Sequence, residues 1–147
     1  MKIVVVSGGF DPVHIGHVRM FNEARALGDK LIVIINNDNW LKAKKGFVFM
    51  SEAERAEIIK EFGSVDDVIV TSHSENDSDT TVRRELEMIR PHIFANGGDR
   101  RAEVDIPEAE VCKKYGIEMH FNVGQGGKVQ SSSWLTAKIQ QKSSFEE

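Results

Sequence analysis

A single cysteine, Cys112, in 147 residues cannot close an internal disulfide. Set between apolar and basic residues on an expected helix, it reads as a small packing residue rather than a nucleophile. No apolar run is long enough to span a bilayer, so no membrane insertion is expected. The first residues lack the charged, apolar and small-residue zones of a signal peptide, which makes a reducing cytoplasm the expected setting. Positive charge is not in excess. The formal net charge of −4 gives no general attraction for nucleic acid or anionic lipid, so a phosphate ligand must be held by local basic groups. Internal repeats are absent. So are Gly-x-x-x-x-Gly-Lys-Ser/Thr, dinucleotide glycine spacing near residue 124 and any zinc-type cluster. No metal ligands are assigned, and Asp105, Glu108 and Glu110 read as surface charge.

What is present is an alternation of apolar strands and amphipathic helices with the length of one domain, residues 1–141, followed by a polar tail, 142–147. Strands are expected near 2–7, 31–36, 67–71, 92–96 and 117–123. Helices are expected near 16–27, 51–62, 79–89, 107–115 and 131–141. The strand cores are apolar on both sides, which predicts an α/β fold: a five-stranded, mainly parallel sheet with helices on both faces. Ser51 and Glu54 have capping-box spacing, Pro107 suits a first helical turn, and Gly28 and Gly116 suit helix ends. The segments 37–50 and 72–78 read as loops. Ligands of such sheets sit beyond the carboxyl ends of the strands, where the loops after strands one, two and four emerge.

Strand one runs into Ser7-Gly8-Gly9-Phe10-Asp11-Pro12-Val13-His14-Ile15-Gly16-His17. A glycine turn, two histidines and a helix entrance bring imidazoles and free backbone N–H groups together, a setting suited to phosphate. Gly16, between the histidines, would leave room for a phosphate chain to approach the backbone, and Gly8 and Gly9 are expected to bind nucleotide in the turn. With its His-x-Gly-His signature after the first strand, the chain resembles the nucleotidyltransferases of the cytidylyltransferase-like superfamily. The resemblance extends from Met1 to about Ile139. It is strongest to the small enzymes that activate sugar or polyol phosphates, such as glycerol-3-phosphate cytidylyltransferase and heptose-1-phosphate adenylyltransferase. It implies a single Rossmann-like domain.

The resemblance also distributes roles. His14 and His17 would stabilise charge on a phosphorus centre passing through five oxygens, joined by a lysine of the loop after strand two: Lys42 by its place after Leu41, or Lys44. Phe10 lies in the nucleotide-binding turn, where packing is its expected part. Asp11 would either orient that turn by accepting backbone N–H groups or bind hydroxyls of the second substrate. Relatives often carry Thr or Cys where Gly9 stands, so a side-chain phosphate contact is missing there. Arg55 matches an arginine that would hold the second phosphate; the competing reading is a surface ion pair with Glu52. Gly98 and Asp99, in Gly97-Gly98-Asp99-Arg100, match a nucleotide-pocket segment in which Asp99 would bind ribose hydroxyls or a base amino group. Arg100 and Arg101 read as either solvated or phosphate-contacting. Gln130, Ser131, Ser132 and Ser133 match a second signature that grips the triphosphate at a helix start, with Lys128 standing in for an upstream arginine; helix capping alone is the alternative.

The expected reaction is transfer of a nucleoside monophosphate from ATP or CTP to a phosphorylated sugar or polyol, with release of pyrophosphate. Magnesium would accompany the nucleotide and be held mainly by it. The resemblance also implies a homodimer. Two other readings stand beside this one: adenylyl transfer to a pantetheine- or nicotinate-type phosphate, and a nucleotide-binding regulatory module without catalysis.

Overall fold

The computed structural model describes residues 1–97, 106–124 and 135–137. Its strands are β1 (Ile3–Gly8), β2 (Lys30–Ile35), β3 (Asp67–Val70), β4 (Ile93–Gly97) and β5 (Glu118–Val123). They form one sheet in the order β3-β2-β1-β4-β5, and every pairing is parallel. The expected "mainly parallel" sheet is thus wholly parallel across the described strands. Among the described residues they are joined by the helices α1 (Ile15–Arg25), α2 (Asp38–Lys45), α3 (Glu52–Lys60), α4 (Arg83–Ile89) and α5 (Ala109–Tyr115).

Strand alternation divides the core in two. Val4, Val6, Leu31, Val33, Ile35, Ile93 and Ala95 pack with Phe10, Phe21 and Ala24 of the first turn and α1, and with Ile59 of α3. Val5, Ile32, Ile34 and Phe94 face the other way, onto Leu86 of α4 and Cys112 of α5. Both faces are therefore dry, as parallel strands require. The order reverses between β1 and β4, so the carboxyl ends of these strands flank a crevice of the kind that holds ligands in open α/β sheets.

Two expected boundaries need correction. The stretch 37–50 is not all loop. Asn37 caps α2 by accepting the Trp40 N–H, and Gly46 ends the helix at φ +84. With Leu41 as its one buried residue, α2 carries no apolar periodicity for a sequence to display. The helix expected from residue 79 starts at Arg83, because Asp79 accepts the N–H and hydroxyl of Thr81 and holds the chain in a turn first. Of the helix expected over 131–141, residues 135–137 are described, and they are helical.

Candidate active site

The glycine turn after β1 is built around one aromatic side chain. Phe10 adopts φ +53 and buries its ring, edge-on to His17 at 4.8 Å and to Phe21 at 5.4 Å between centroids. A Cβ on Gly8 would stand 2.9 Å from Cζ of that ring, so Gly8 makes room for Phe10. Gly9 faces α2, where a Cβ would meet Leu41 and Trp40 at 3.2 and 3.3 Å. Both glycines, expected from sequence to bind nucleotide in the turn, have packing reasons of their own. Phe10 packs, as its expected part required.

The two histidines close the start of α1 in a capping box made of imidazoles. His14 is the N-cap, and its Nδ1 accepts the Gly16 N–H at 3.1 Å; Nδ1 of His17 accepts the His14 N–H at 3.1 Å. The rings stack with centroids 3.8 Å apart. Because each Nδ1 is an acceptor, the proton of each neutral ring resides on Nε2. Burial, together with the repulsion that protons on both His14 and His17 would bring, lowers the His17 pKa to about 3, so His17 is neutral at physiological pH. The Gly16 N–H is donated to His14.

Asp11 resolves to the first of its two readings. The side chain is buried, and its carboxylate accepts the N–H groups of Phe49 and Met50 at 2.7 and 2.6 Å. Lys45 Nζ donates to the Asp11 carbonyl at 2.9 Å and lies 3.4 Å from its Oδ2. Asp11 is therefore occupied in tying the segment after α2 to the turn, and the hydroxyl-binding alternative falls away. The lysine joined to the turn is Lys45, rather than Lys42 or Lys44. Lys42 is exposed, and Lys44 Nζ lies 5.9 Å over the Trp40 ring. Lys45 had the same sequence signal as its neighbours; helical phase alone distinguishes it.

Arg55 is the clearest correction. Its side chain is wholly buried. Nε donates to the Met50 carbonyl, Nη1 to the carbonyls of Gly9 and Asn36, and Nη2 to Asp38 at 2.7 Å. A guanidinium committed to three carbonyls and a carboxylate is a clamp on four segments, not a phosphate ligand. The alternative surface pair with Glu52 is equally absent; Glu52 instead accepts the Asp38 N–H. Gly98, Asp99, Arg100, Arg101, Lys128, Gln130, Ser131, Ser132 and Ser133 lie outside the described residues.

Sequence reasoning missed a polar network at the ends of β2 and β3. The Asn37 N–H donates to Thr71 Oγ1, which lies 2.7 Å from His73 Nδ1, and His73 Nε2 donates to the Thr81 carbonyl at 2.9 Å. Asn37 and Asn39 both donate to the His73 carbonyl, and Trp40 Nε1 donates to that of Thr80. The segment 71–81 thus hangs on the first turn of α2. Its only sequence signal was a run of Asn, Thr and Ser.

Comparison with known proteins adds to this geometry. Residues 5–123 match the family described as Cytidylyltransferase-like. The chain is 37% identical over 145 residues to the bifunctional protein HldE of Pseudomonas aeruginosa, covering 96% of this chain and 28% of that protein. It is 40% identical over 98 residues to FAD synthase of Pyrococcus horikoshii, covering 66% of this chain and 63% of that one. The chain therefore spans between about a fifth and just over a quarter of the length of the HldE proteins it matches. Among solved structures, a lipopolysaccharide core biosynthesis protein of Thermoplasma volcanium superposes with TM-score 0.64 at 27% identity, over 83% of this chain and 94% of that one. Thermotoga maritima TmcAL bound with alpha-thio ATP gives TM-score 0.69 at 16% identity, over 97% and 51%, a likeness of fold.

Proposed function

The chain belongs to the cytidylyltransferase-like family, and from that premise we propose that it transfers AMP or CMP from ATP or CTP to a phosphorylated sugar or polyol, releasing pyrophosphate. The observation that carries this reading is the pair of neutral, stacked imidazoles at the entrance to α1. Each accepts a backbone N–H through Nδ1, which places the ring proton on Nε2, and His17 can present that Nε2–H as a donor. In such a transfer the acceptor phosphate oxygen forms a bond to the α-phosphorus, and the bond to the pyrophosphate oxygen breaks. Nothing becomes covalently attached to the protein. The task left to the side chains is to meet growing negative charge on the phosphoryl oxygens, and preorganised N–H donors meet it without reorganising. A neutral His17 is a donor and not a proton source, which suits a step with no proton to deliver. Lys45, held on Asp11 beside the turn, adds positive charge there.

The adenine arm draws support from the name FAD synthase, since its product carries an adenylyl group. Asp99 and Ser131–Ser133 remain the residues proposed for nucleoside and triphosphate. Among the described residues no three His, Cys, Asp or Glu side chains gather as a metal site. Magnesium is proposed to enter with the nucleotide, held mainly by its phosphates. The test is pyrophosphate release with each of the four NTPs against glycerol 3-phosphate and a panel of sugar 1-phosphates. One productive pair identifies base and acceptor together. NTP binding with silence across the panel favours the regulatory-module reading. His17→Ala should lower turnover by about 100-fold in a folded protein; near-normal turnover refutes the role given to the imidazoles.

A further inference from the structure

Strand alternation places an unexplained polar row at the carboxyl edge of the sheet. Ser7 lies on the Val5 side of β1, and Asn36, one residue past β2, lies on the side of Ile32 and Ile34. The Asn36 N–H still donates to Gly8 O, so the ladder, and with it the alternation, reaches this residue. Asn96 lies on the Phe94 side of β4. All three therefore face α4 and α5, whereas His17 packs with Phe10 and Phe21 on the other face.

Asn36 is 6% exposed, and its Oδ1 has no hydrogen-bond partner among the described residues. The contrast with its neighbour in the sheet is sharp. Thr71, one step past the Ile35–Val70 pair, accepts from Asn37 and contacts His73, and so is satisfied within the protein. A buried amide oxygen without a donor is costly, and a fold can relieve that cost by pairing it or by filling the site with leucine. Its retention at the ligand edge of the sheet points to a donor that comes from outside. Ser7 lies half-buried on the adjacent strand. Ser7 pairs with Ile34, so it stands diagonally from Asn36, about 8 Å away across one strand spacing and two residues of rise, and one small molecule can span the two side chains. Asn36 Oδ1 is solely an acceptor, which suits a hydroxyl donor and not an ionised phosphate oxygen. Asn36 also lies two strands from β4, the strand that leads to Asp99.

Resting on the transfer reading above, we infer that Asn36 and Ser7 form a hydroxyl-recognition subsite for the acceptor, Asn36 Oδ1 accepting from an acceptor hydroxyl while the acceptor phosphate faces the imidazoles. The subsite selects acceptors that carry a free hydroxyl near their phosphate.

The test pairs a side-chain change with a substrate change. Asn36→Leu keeps the volume and removes the acceptor atom. It should raise the acceptor KM, and the acceptor Kd measured by calorimetry without NTP, by about ten-fold, while the NTP KM moves less than two-fold and the thermal midpoint does not fall. Acceptors with single hydroxyls replaced by hydrogen complete the cycle. One of them should bind the wild-type protein about ten-fold more weakly than its parent, and Asn36→Leu should bind the two equally. Ser7→Ala should act in the same direction. A shift confined to the NTP KM, a lowered midpoint with both KM values changed, or equal discrimination by wild type and variant overturns the subsite; the last result leaves Asn36 to a bound water alone. If the wild-type protein binds phosphorylated polyols with this discrimination but releases no pyrophosphate, the transfer reading fails and the subsite stands. If it binds none of them, the subsite is overturned.

Discussion

At the scale of single residues, the state of His17 follows from the ring beneath it. Phe10 and Phe21 dry the imidazole, and the folded protein holds its pKa near 3, below the ordinary 6.5. A depressed histidine pKa means that the folded state resists a proton the unfolded chain accepts. Between pH 6.5 and about 3 the unfolded chain binds more protons, so this contribution to stability is complete above pH 6.5 and declines as the pH falls toward 3. The urea midpoint should accordingly drop between pH 7 and pH 5, and His17→Ala should flatten that drop. By NMR the His17 ring should not titrate between pH 5 and 8. A titration midpoint near 6.5 would show the ring to be wet and would remove the argument that it serves as a neutral donor. The imidazole pair was legible in the sequence as a motif. Its proton arrangement was not, because that depends on which backbone N–H each Nδ1 accepts. Gly8 illustrates the same limit: expected as part of the nucleotide-binding turn, it makes space for Phe10.

At the scale of elements, α2 and α3 position the turn from the side. Arg55 on α3 grips the glycine turn through Gly9, the end of β2 through Asn36, the end of the connecting segment through Met50, and α2 through Asp38. Removing a buried guanidinium strands all of these acceptors at once, so Arg55→Leu should cost about 3 kcal/mol or more in denaturant unfolding. Arg55→Lys should recover little of it, since one ammonium cannot replace a planar fork reaching four acceptors. A phosphate-binding arginine would give the opposite pattern: intact stability and a raised KM. Gly46 makes a second, milder prediction. It ends α2 in the left-handed region with open space around its Cα, so Gly46→Ala should cost roughly 1 kcal/mol by backbone conformation alone. If the cost is near zero, the αL cap does not hold Lys45 and the 47–50 segment in place. The helices that carry core faces, α1 and α3, were readable within a few residues because their apolar spacing marks them. α2 was read as loop because one buried leucine makes no pattern, and its cap, Asn37, is recognisable only once the helix is known.

At the scale of the whole molecule, the parallel order and two-sided core were readable because apolar strands alternating with helices admit few other arrangements. The way the two halves of the sheet meet was not, since it depends on close approach between residues distant in sequence. α1, which leaves the imidazole turn, crosses to the β4–β5 side. Glu23 Oε2 accepts the Gly124 N–H at 2.6 Å, and Met20 lies against Gly97 and Gly124. A Cβ on Gly97 would stand 2.7 Å from Met20 Sδ and 2.9 Å from the Val123 carbonyl. The first contact is with a flexible side chain and can be relieved; the second is with backbone and cannot without shifting β5. Gly97→Ala should therefore destabilise the protein by about 1–3 kcal/mol, and adding Met20→Ala should recover only part of that loss. If α1 links the halves into one cooperative unit, far-ultraviolet circular dichroism and tryptophan fluorescence of the variant, measured with Trp134→Phe so that the signal reports Trp40 on α2, should still fall together along the urea axis. Separated transitions, with the fluorescence change later, would mean that β4 and β5 are a subdomain resting on the β1–β3 half. The imidazole turn would then keep its geometry without them. Coincident transitions at lower urea would place the strands that lead to the nucleoside segment and the turn that meets the phosphates in a single folding unit.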